Sequence, residues 1–287
     1  MGQDATALIE QLNRSSVPYA DPLARIDWAS LDLNGWWLPE EAVSLHGVSE
    51  FDALPEAQRI RLSQFEFVNF IEKALWLEGI FMERISRALA DSLGDPAATT
   101  YRLHELREEA GHSLMFLDLI RRSGLPIGPE AFERPKLATW VGRFAPYGSA
   151  AFWVAVLIGE QIPDQMNRFI RKHRSEISPA IYDIITAHAI DEARHIAHAR
   201  ETFEGSMHRG WSLLMRLYPP LLNHIFRQFV GAFYFPTPSL YEMAGLDNGA
   251  HWRKLAHSNP QRTAFVDRCV ESTVKQLASH DVNLNWH

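Results

Sequence analysis

From residue 55 onward the chain carries apolar residues at helical spacing, and no stretch alternates apolar and polar positions for long enough to build a sheet. Turn signals cut this texture into segments. A first long helix is predicted from Glu56 to Leu93, stopping at Gly94; Asp95-Pro96 then supplies the N-cap and first-turn proline of a second, which runs to Ser123. Gly124, Pro126, Gly128, Pro129 and Pro135 mark a connection longer than a hairpin between adjacent helices needs, which predicts a crossover. A third helix spans Ser149 to Lys172, and Ser178-Pro179 opens a fourth reaching Glu204. Beyond Gly205 the helical texture continues through Trp211 to Phe235, breaks at Pro236 and Pro238, and resumes from Asn259-Pro260 to Ser279. Residues 1–54, broken by Pro18, Pro22, Gly35 and Pro39, read as irregular, with Trp28, Trp36 and Trp37 as apolar bulk for packing. The expectation is one all-α structural domain: a four-helix bundle at 56–205, an extension at 1–55 packed on it, and flanking helices at 206–287.

Composition narrows the chemistry. Lys and Arg number 28 against 35 Asp and Glu, a net charge of −7, so nothing favours nucleic acid or an acidic lipid surface. The one cysteine, Cys269, excludes an internal disulfide and any thiolate metal cluster, which leaves His and carboxylate as metal ligands. The N-terminus lacks the apolar run of a signal peptide, and the longest apolar stretch, Ala150 to Ile158, is about half a bilayer span. A soluble, cytoplasmic protein without membrane or nucleic-acid partners is expected.

Two Glu-x-x-His pairs carry the chemical signal: Glu109 with His112 on the second predicted helix, and Glu192 with His195 on the fourth. Residues three apart differ by about 300° around a helix, so each carboxylate and imidazole share a face and can converge on one metal. Two such half-sites plus one Glu from each remaining helix build a dinuclear centre inside a four-helix bundle. On the first helix Glu78 falls on the apolar stripe of Phe67, Ile71, Ala74, Leu75, Met82, Ile85 and Leu89, whereas Glu66, Glu72 and Glu83 do not. On the third, Glu160 follows Trp153, Val156 and Leu157 on their face. A single buried Glu has an ordinary alternative as a salt-bridge partner, but six or seven polar residues in one layer would each need an independent partner. His188, four residues before Glu192, lies on the same arc, so a third imidazole can reach the site. Glu105 sits at the matching offset on the second helix, as an outer residue or occasional ligand, and Asp164 and Asp191 are candidate acceptors for the ring N–H groups of ligating histidines. Four carboxylates balance two divalent cations, and the donor mixture suits iron or manganese, with iron the choice for redox chemistry. The other histidines, His198 and His208 among them, read as surface or packing residues; Trp76, Trp140, Trp153 and Trp211 read as core. Pro163 should kink the third helix beside Glu160.

The set Glu78, Glu109, His112, Glu160, His188, Glu192 and His195, with His188-x-x-x-Glu192-x-x-His195 on one helix, resembles the seven-ligand pattern of the p-aminobenzoate N-oxygenase family. That resemblance covers residues 60 to 205 by motif. It implies a ferritin-like bundle holding two irons, with manganese as a substitute, that activates O2 with electrons from an external donor. It further implies oxidation of a small-molecule amine, free or carrier-bound, to a hydroxylamine, nitroso or nitro product, and a homodimer. A carbon hydroxylase or desaturase on the same scaffold, or a ferritin-like iron-binding protein, are the alternatives, since fold and metal do not determine substrate. Arg168, Arg194, Arg227 and Tyr234 are polar residues within reach of a substrate tail, and no local motif selects among them.

Overall fold

The computed structural model describes residues 3–91, 94–207 and 219–287. The chain runs α1 (Gln3–Ser16), α2 (Ser49–Asp52), α3 (Glu56–Asp91), α4 (Pro96–Ser123), α5 (Lys136–Phe144), α6 (Ala150–Lys172), α7 (Pro179–Ser206), α8 (Pro219–Tyr234), α9 (Pro238–Met243), α10 (Gly249–Ser258) and α11 (Pro260–Ala278), with short 3-10 turns between them and no strand among the described residues. No described helix is long and apolar enough to cross a membrane.

Helix ends follow local chemistry. Asp95 caps α4 by accepting from the Ala98 amide, and Gly124, at φ 59°, ends it in the left-handed conformation glycine adopts without a Cβ clash. Ser149 caps α6 through the Phe152 amide, and Pro163 lies buried inside that helix. Ser178 opens α7 without a side-chain cap, because its hydroxyl accepts from the Asp32 amide (2.9 Å) while its own amide donates to Trp36 O (2.8 Å). The extension is thereby pinned to the start of α7.

α3, α4, α6 and α7 form the bundle, with α3 against α4, α6 against α7 and α4 against α7. The later helices complete the core: α11 packs on α6 and α8 on α3, and one continuous apolar cluster runs from Ile26 and Trp37 through Phe67, Trp153 and Leu157 to Phe265. α3 is consequently buried on more than one face. Glu66 and Glu72, off the apolar stripe, are buried with it, and each is partnered: Glu66 accepts from the Ser44 amide (3.0 Å) and hydroxyl, and Glu72 pairs with Lys73 (2.9 Å) and Arg134.

Three expectations need correction. Residues 3–16 are not irregular but form α1, which seats Ile9 and Leu12 against Tyr101 of α4; its Ile9/Leu12 spacing is a narrow helical stripe. The stretch between Pro236 and Asn259, expected to break the helical texture, holds α9 and α10. Trp140 on α5 is 59% exposed rather than core, while Trp76 and Trp153 are buried. Trp211 and His208 lie outside the described residues.

Candidate metal centre

The seven residues singled out by spacing come from four helices: Glu78 from α3, Glu109 and His112 from α4, Glu160 from α6, and His188, Glu192 and His195 from α7. The bundle brings all seven together. Glu109, His112 and His195 are at most 1% exposed, Glu78, His188 and Glu192 are also buried, and Glu160 is half-buried because it borders cavities.

The donors form two groups that share Glu192. One atom each of Glu78, His112, His188 and Glu192 lie within 4.8 Å of one another, as do atoms of Glu109, Glu192 and His195, which makes both groups capable of holding a metal ion. Glu192 straddles them: Oε1 is 3.0 Å from His188 Nε2 and 3.4 Å from His112 Nδ1, while Oε2 is 3.4 Å from His195 Nδ1. Glu109 does the same, with Oε2 3.5 Å from His112 Nδ1 and Oε1 3.1 Å from His195 Nδ1. Glu78 Oε1 lies 3.3 Å from His188 Nε2, and Glu160 hydrogen-bonds Glu192. A small pocket opens beside the group, bordered by Glu78, Glu109, Glu160, His188 and Pro163.

Behind the donors stands a second ring of charge. His112 Nε2 is 3.3 Å from Asp191 Oδ2, and His195 Nε2 is 3.0 Å from Glu108 Oε2. Arg194 joins the two acids, with one terminal nitrogen 2.6 Å from Asp191 and 3.0 Å from Glu108. From the extension, Arg25 reaches Asp191 at 3.3 Å. That approach passes over Gly111, where a Cβ would fall 2.6 Å from the Tyr19 hydroxyl and 3.0 Å from Pro22. His188 Nδ1 faces Asn167 Nδ2 at 3.2 Å.

Sequence reasoning missed Glu108. The signal was present as a repeat: an acid precedes each Glu-x-x-His, giving Glu108-Glu109-x-x-His112 and Asp191-Glu192-x-x-His195, and each leading acid serves the histidine of the other helix. Asp164 takes no such part, because it pairs with Arg168 at 2.6 Å. Glu105 lies away from the cluster and bonds His198 at 3.1 Å.

Electrostatics express what so many buried acids require without a cation. Burial and the charges of Glu109, Glu192 and Glu160 push Glu78 well above the usual carboxylate range, and burial with Glu192 raises Glu160 likewise. Glu109 and Glu192 go the other way: burial opposes ionisation, but His195, and for Glu192 also His188, outweigh it. Burial disfavours the imidazolium of His112, yet Asp191, Glu109 and Glu192 raise it to about 9, and His195 is raised well above its ordinary value by Glu192 and Glu109. Protons on Glu78, Glu160, His112 and His195 thus offset the charge that two divalent cations would offset.

The donor set fits such a pair of ions. Among buried atoms without a hydrogen-bond partner are Glu78 Oε2, Glu109 Oε1, Glu192 Oε2, His112 Nδ1 and His195 Nδ1, all in the cluster, whereas the opposite nitrogens of both histidines are bonded. Unpaired atoms facing one another and paired atoms facing outward are what a metal-binding shell presents.

The architecture is similar to that of solved R2-like ligand-binding oxidases. One variant with an anaerobically reconstituted Mn/Fe cofactor matches with a TM-score of 0.54 at 14% identity, covering 93% of each chain. A second such variant gives 0.55 at 13% identity, covering 100% of this chain and 95% of that one. At this identity the likeness is one of fold. Fold and buried cluster together define a ferritin-like protein with a carboxylate–histidine site suited to a dinuclear metal cofactor. Residues 2–281 match the family described as p-aminobenzoate N-oxygenase AurF, and the chain belongs to that family. It is an enzyme of the oxygenase and oxidase kind. Uncharacterized proteins of Mycobacterium tuberculosis and Mycobacterium bovis are each 24% identical over 295 residues, covering 98% of this chain and 82% of theirs.

Proposed function

We propose that the protein is a diiron N-oxygenase that uses O2 to oxidise an amine, and that Glu78, Glu109, His112, Glu160, His188, Glu192 and His195 hold the two irons. Glu78, His112 and His188 would hold one ion and Glu160 and His195 the other, with Glu109 and Glu192, which face the histidines of both groups, shared between them. The observation that carries this reading is the set of donor atoms in the cluster without partners, backed by the engaged Nε2 atoms of His112 and His195. The third imidazole fits the same logic. A metal on His188 Nε2 leaves the ring proton on Nδ1, and Asn167 Oδ1, a buried acceptor without a partner, turns to receive it.

When bound, the metal pair supplies electrons and open positions for O2. Conversion of an amine to a hydroxylamine consumes one O2, two electrons and two protons and releases one water, so an external reductant is required, and further oxidation gives nitroso and nitro products. The chain's own residues set the geometry and exclude water: Leu77, Ala74 and Pro163 border the pocket next to the donors and leave it largely apolar on that side. Manganese can occupy the same donors. A homodimer and a free or carrier-bound amine complete the proposal.

The test is anaerobic loading with Fe(II), followed by O2, a reductant and a panel of arylamines, with product analysis. Two irons per chain and an N-oxygenated product are expected, with fewer irons in His188→Ala. Oxidation at carbon with the nitrogen untouched would reassign the reaction to a hydroxylase or desaturase; fewer than two irons in the native chain would refute the diiron site.

A further inference from the structure

A second cavity lies between α3, α5, α6 and α8. It meets the pocket beside the metal donors at a shared wall of Leu77, Gly159 and Glu160. Gly159 keeps that wall thin: a Cβ there would already touch Leu77 at 3.5 Å. The chamber thus ends at the one proposed ligand that is only half-buried, Glu160.

Its lining is apolar and rich in rings. Trp76 and Phe81 come from α3, Phe152 from α6 and Phe229 from α8, while Ala138 and Val141 of α5 cover it. Glu160 is the only charged side chain among the described residues that line it, and none of the described lining residues is Lys, Arg or His. Arg84 stacks on Phe152 at 5.2 Å but does not line the chamber, and its terminal nitrogens donate to Arg143 O (2.7 Å) and Ala145 O (2.5 Å). Arg134, Lys136 and Arg143 line a separate groove that shares only Trp76 and Ile80 with the chamber. The buried Trp76 indole N–H has no hydrogen-bond partner.

We propose that this cavity is the substrate chamber of the metal centre and that it takes an uncharged aromatic amine, not a carboxylate-bearing one such as p-aminobenzoate. The inference rests on the amine-oxidation reading above. The four rings offer stacking surface, and an amine at the Glu160 end abuts the metal donors. A carboxylate on the same ring would be buried with no cation to pair it, which is costly in an apolar enclosure. An ester, ketone or amide in its place remains neutral.

The test compares p-aminobenzoate with its methyl ester, which keeps the ring and amine and removes the charge. Calorimetric titration of the Fe(II)-loaded protein without oxygen reads binding apart from oxidation. The ester should bind at least about a hundredfold more tightly. Equal or tighter binding of p-aminobenzoate, or no binding of the ester, overturns the proposal. Ala155→Trp, which fills the chamber from α6, should weaken ester binding at least about tenfold; unchanged affinity would put the ester elsewhere and overturn the assignment. Ile80→Trp makes the same test from α3 should the first variant fail to fold. Ester that binds tightly but is not N-oxidised once O2 and reductant are added would refute the amine-oxidation reading and leave the chamber assignment standing.

Discussion

His195 is held by Glu108: carboxylate Oε2 lies 3.0 Å from ring Nε2, which leaves Nδ1 turned toward Glu109 and Glu192. The carboxylate fixes the ring's rotation and keeps a proton on Nε2, so that a metal displacing the second proton would meet the Nδ1 lone pair. Because the acid sits one residue before Glu109, the same turn of α4 supplies a donor to the centre and a brace for the opposite helix.

Glu108→Gln should therefore weaken one metal and largely spare the other. Loss of the anionic partner is expected to lower affinity at the His195 side by about 10- to 100-fold. Asp191→Asn should do the same at the His112 side. Metal titration by calorimetry should read two steps in the native protein, and each variant should displace a different one. Identical effects of the two variants would refute the separate braces.

Arg194 joins those braces, so Arg194→Met should displace both steps together. The guanidinium contacts Asp191 at 2.6 Å and Glu108 at 3.0 Å, and its removal leaves two largely buried acids with less compensating charge. Arg194→Lys should restore only part of the affinity, because its side chain is shorter and its ammonium is more strongly hydrated than the guanidinium. Full recovery in the lysine variant would mean that only net charge matters.

How much of this was legible in the sequence depended on range. The Glu-x-x-His pairs, and Glu78 and Glu160 on their apolar stripes, are local periodicities, and a helix converts such a spacing directly into a shared face. Glu108 was hidden because it lies about 100° round the helix from Glu109, off the stripe under inspection, and finds its partner 87 residues away. Burial alone would have misled: Glu66 and Glu72 are as buried as Glu78, and what separates them is the partners brought by Ser44 and Arg134. α1 was obscured by the prolines that follow it. The chamber was not legible at all, because its walls come from four helices far apart in sequence.

Metal loading should release protons, and the metal-free protein should lose stability as pH rises. His112 has its pKa raised from 6.5 to about 9, so its contribution to stability is fully present below 6.5 and is lost as pH climbs through about 9. His195, Glu78 and Glu160 are also raised and act with the same sign. Asp191, lowered from 3.8 to about 2, acts oppositely: its contribution is present above 3.8 and is lost as pH falls through about 2. Thermal melts of chelated protein should move down in temperature between pH 6.5 and 9, while melts of the loaded protein, whose cations replace those protons, should not. A metal-free melt that moved up over this range would contradict the proton assignment.

Arg262 tests whether the segments flanking the bundle are structural parts of it. It is 4% exposed and donates to Ala42 O (2.7 Å) and Tyr234 O (2.9 Å), so one side chain of α11 ties the extension to the end of α8. Its charge also favours the buried carboxylate of Glu66, which holds Ser44. Arg262→Met keeps much of the apolar contact with Phe265 but leaves those carbonyls without their donor and the buried Glu66 without the favourable charge of Arg262. The expected cost is about 3 kcal/mol in denaturant unfolding. Two metals per chain should still bind, because no cluster residue bonds Arg262. Loss of less than about 1 kcal/mol would mean that water reaches both carbonyls and that the extension is held chiefly by its contacts with α7.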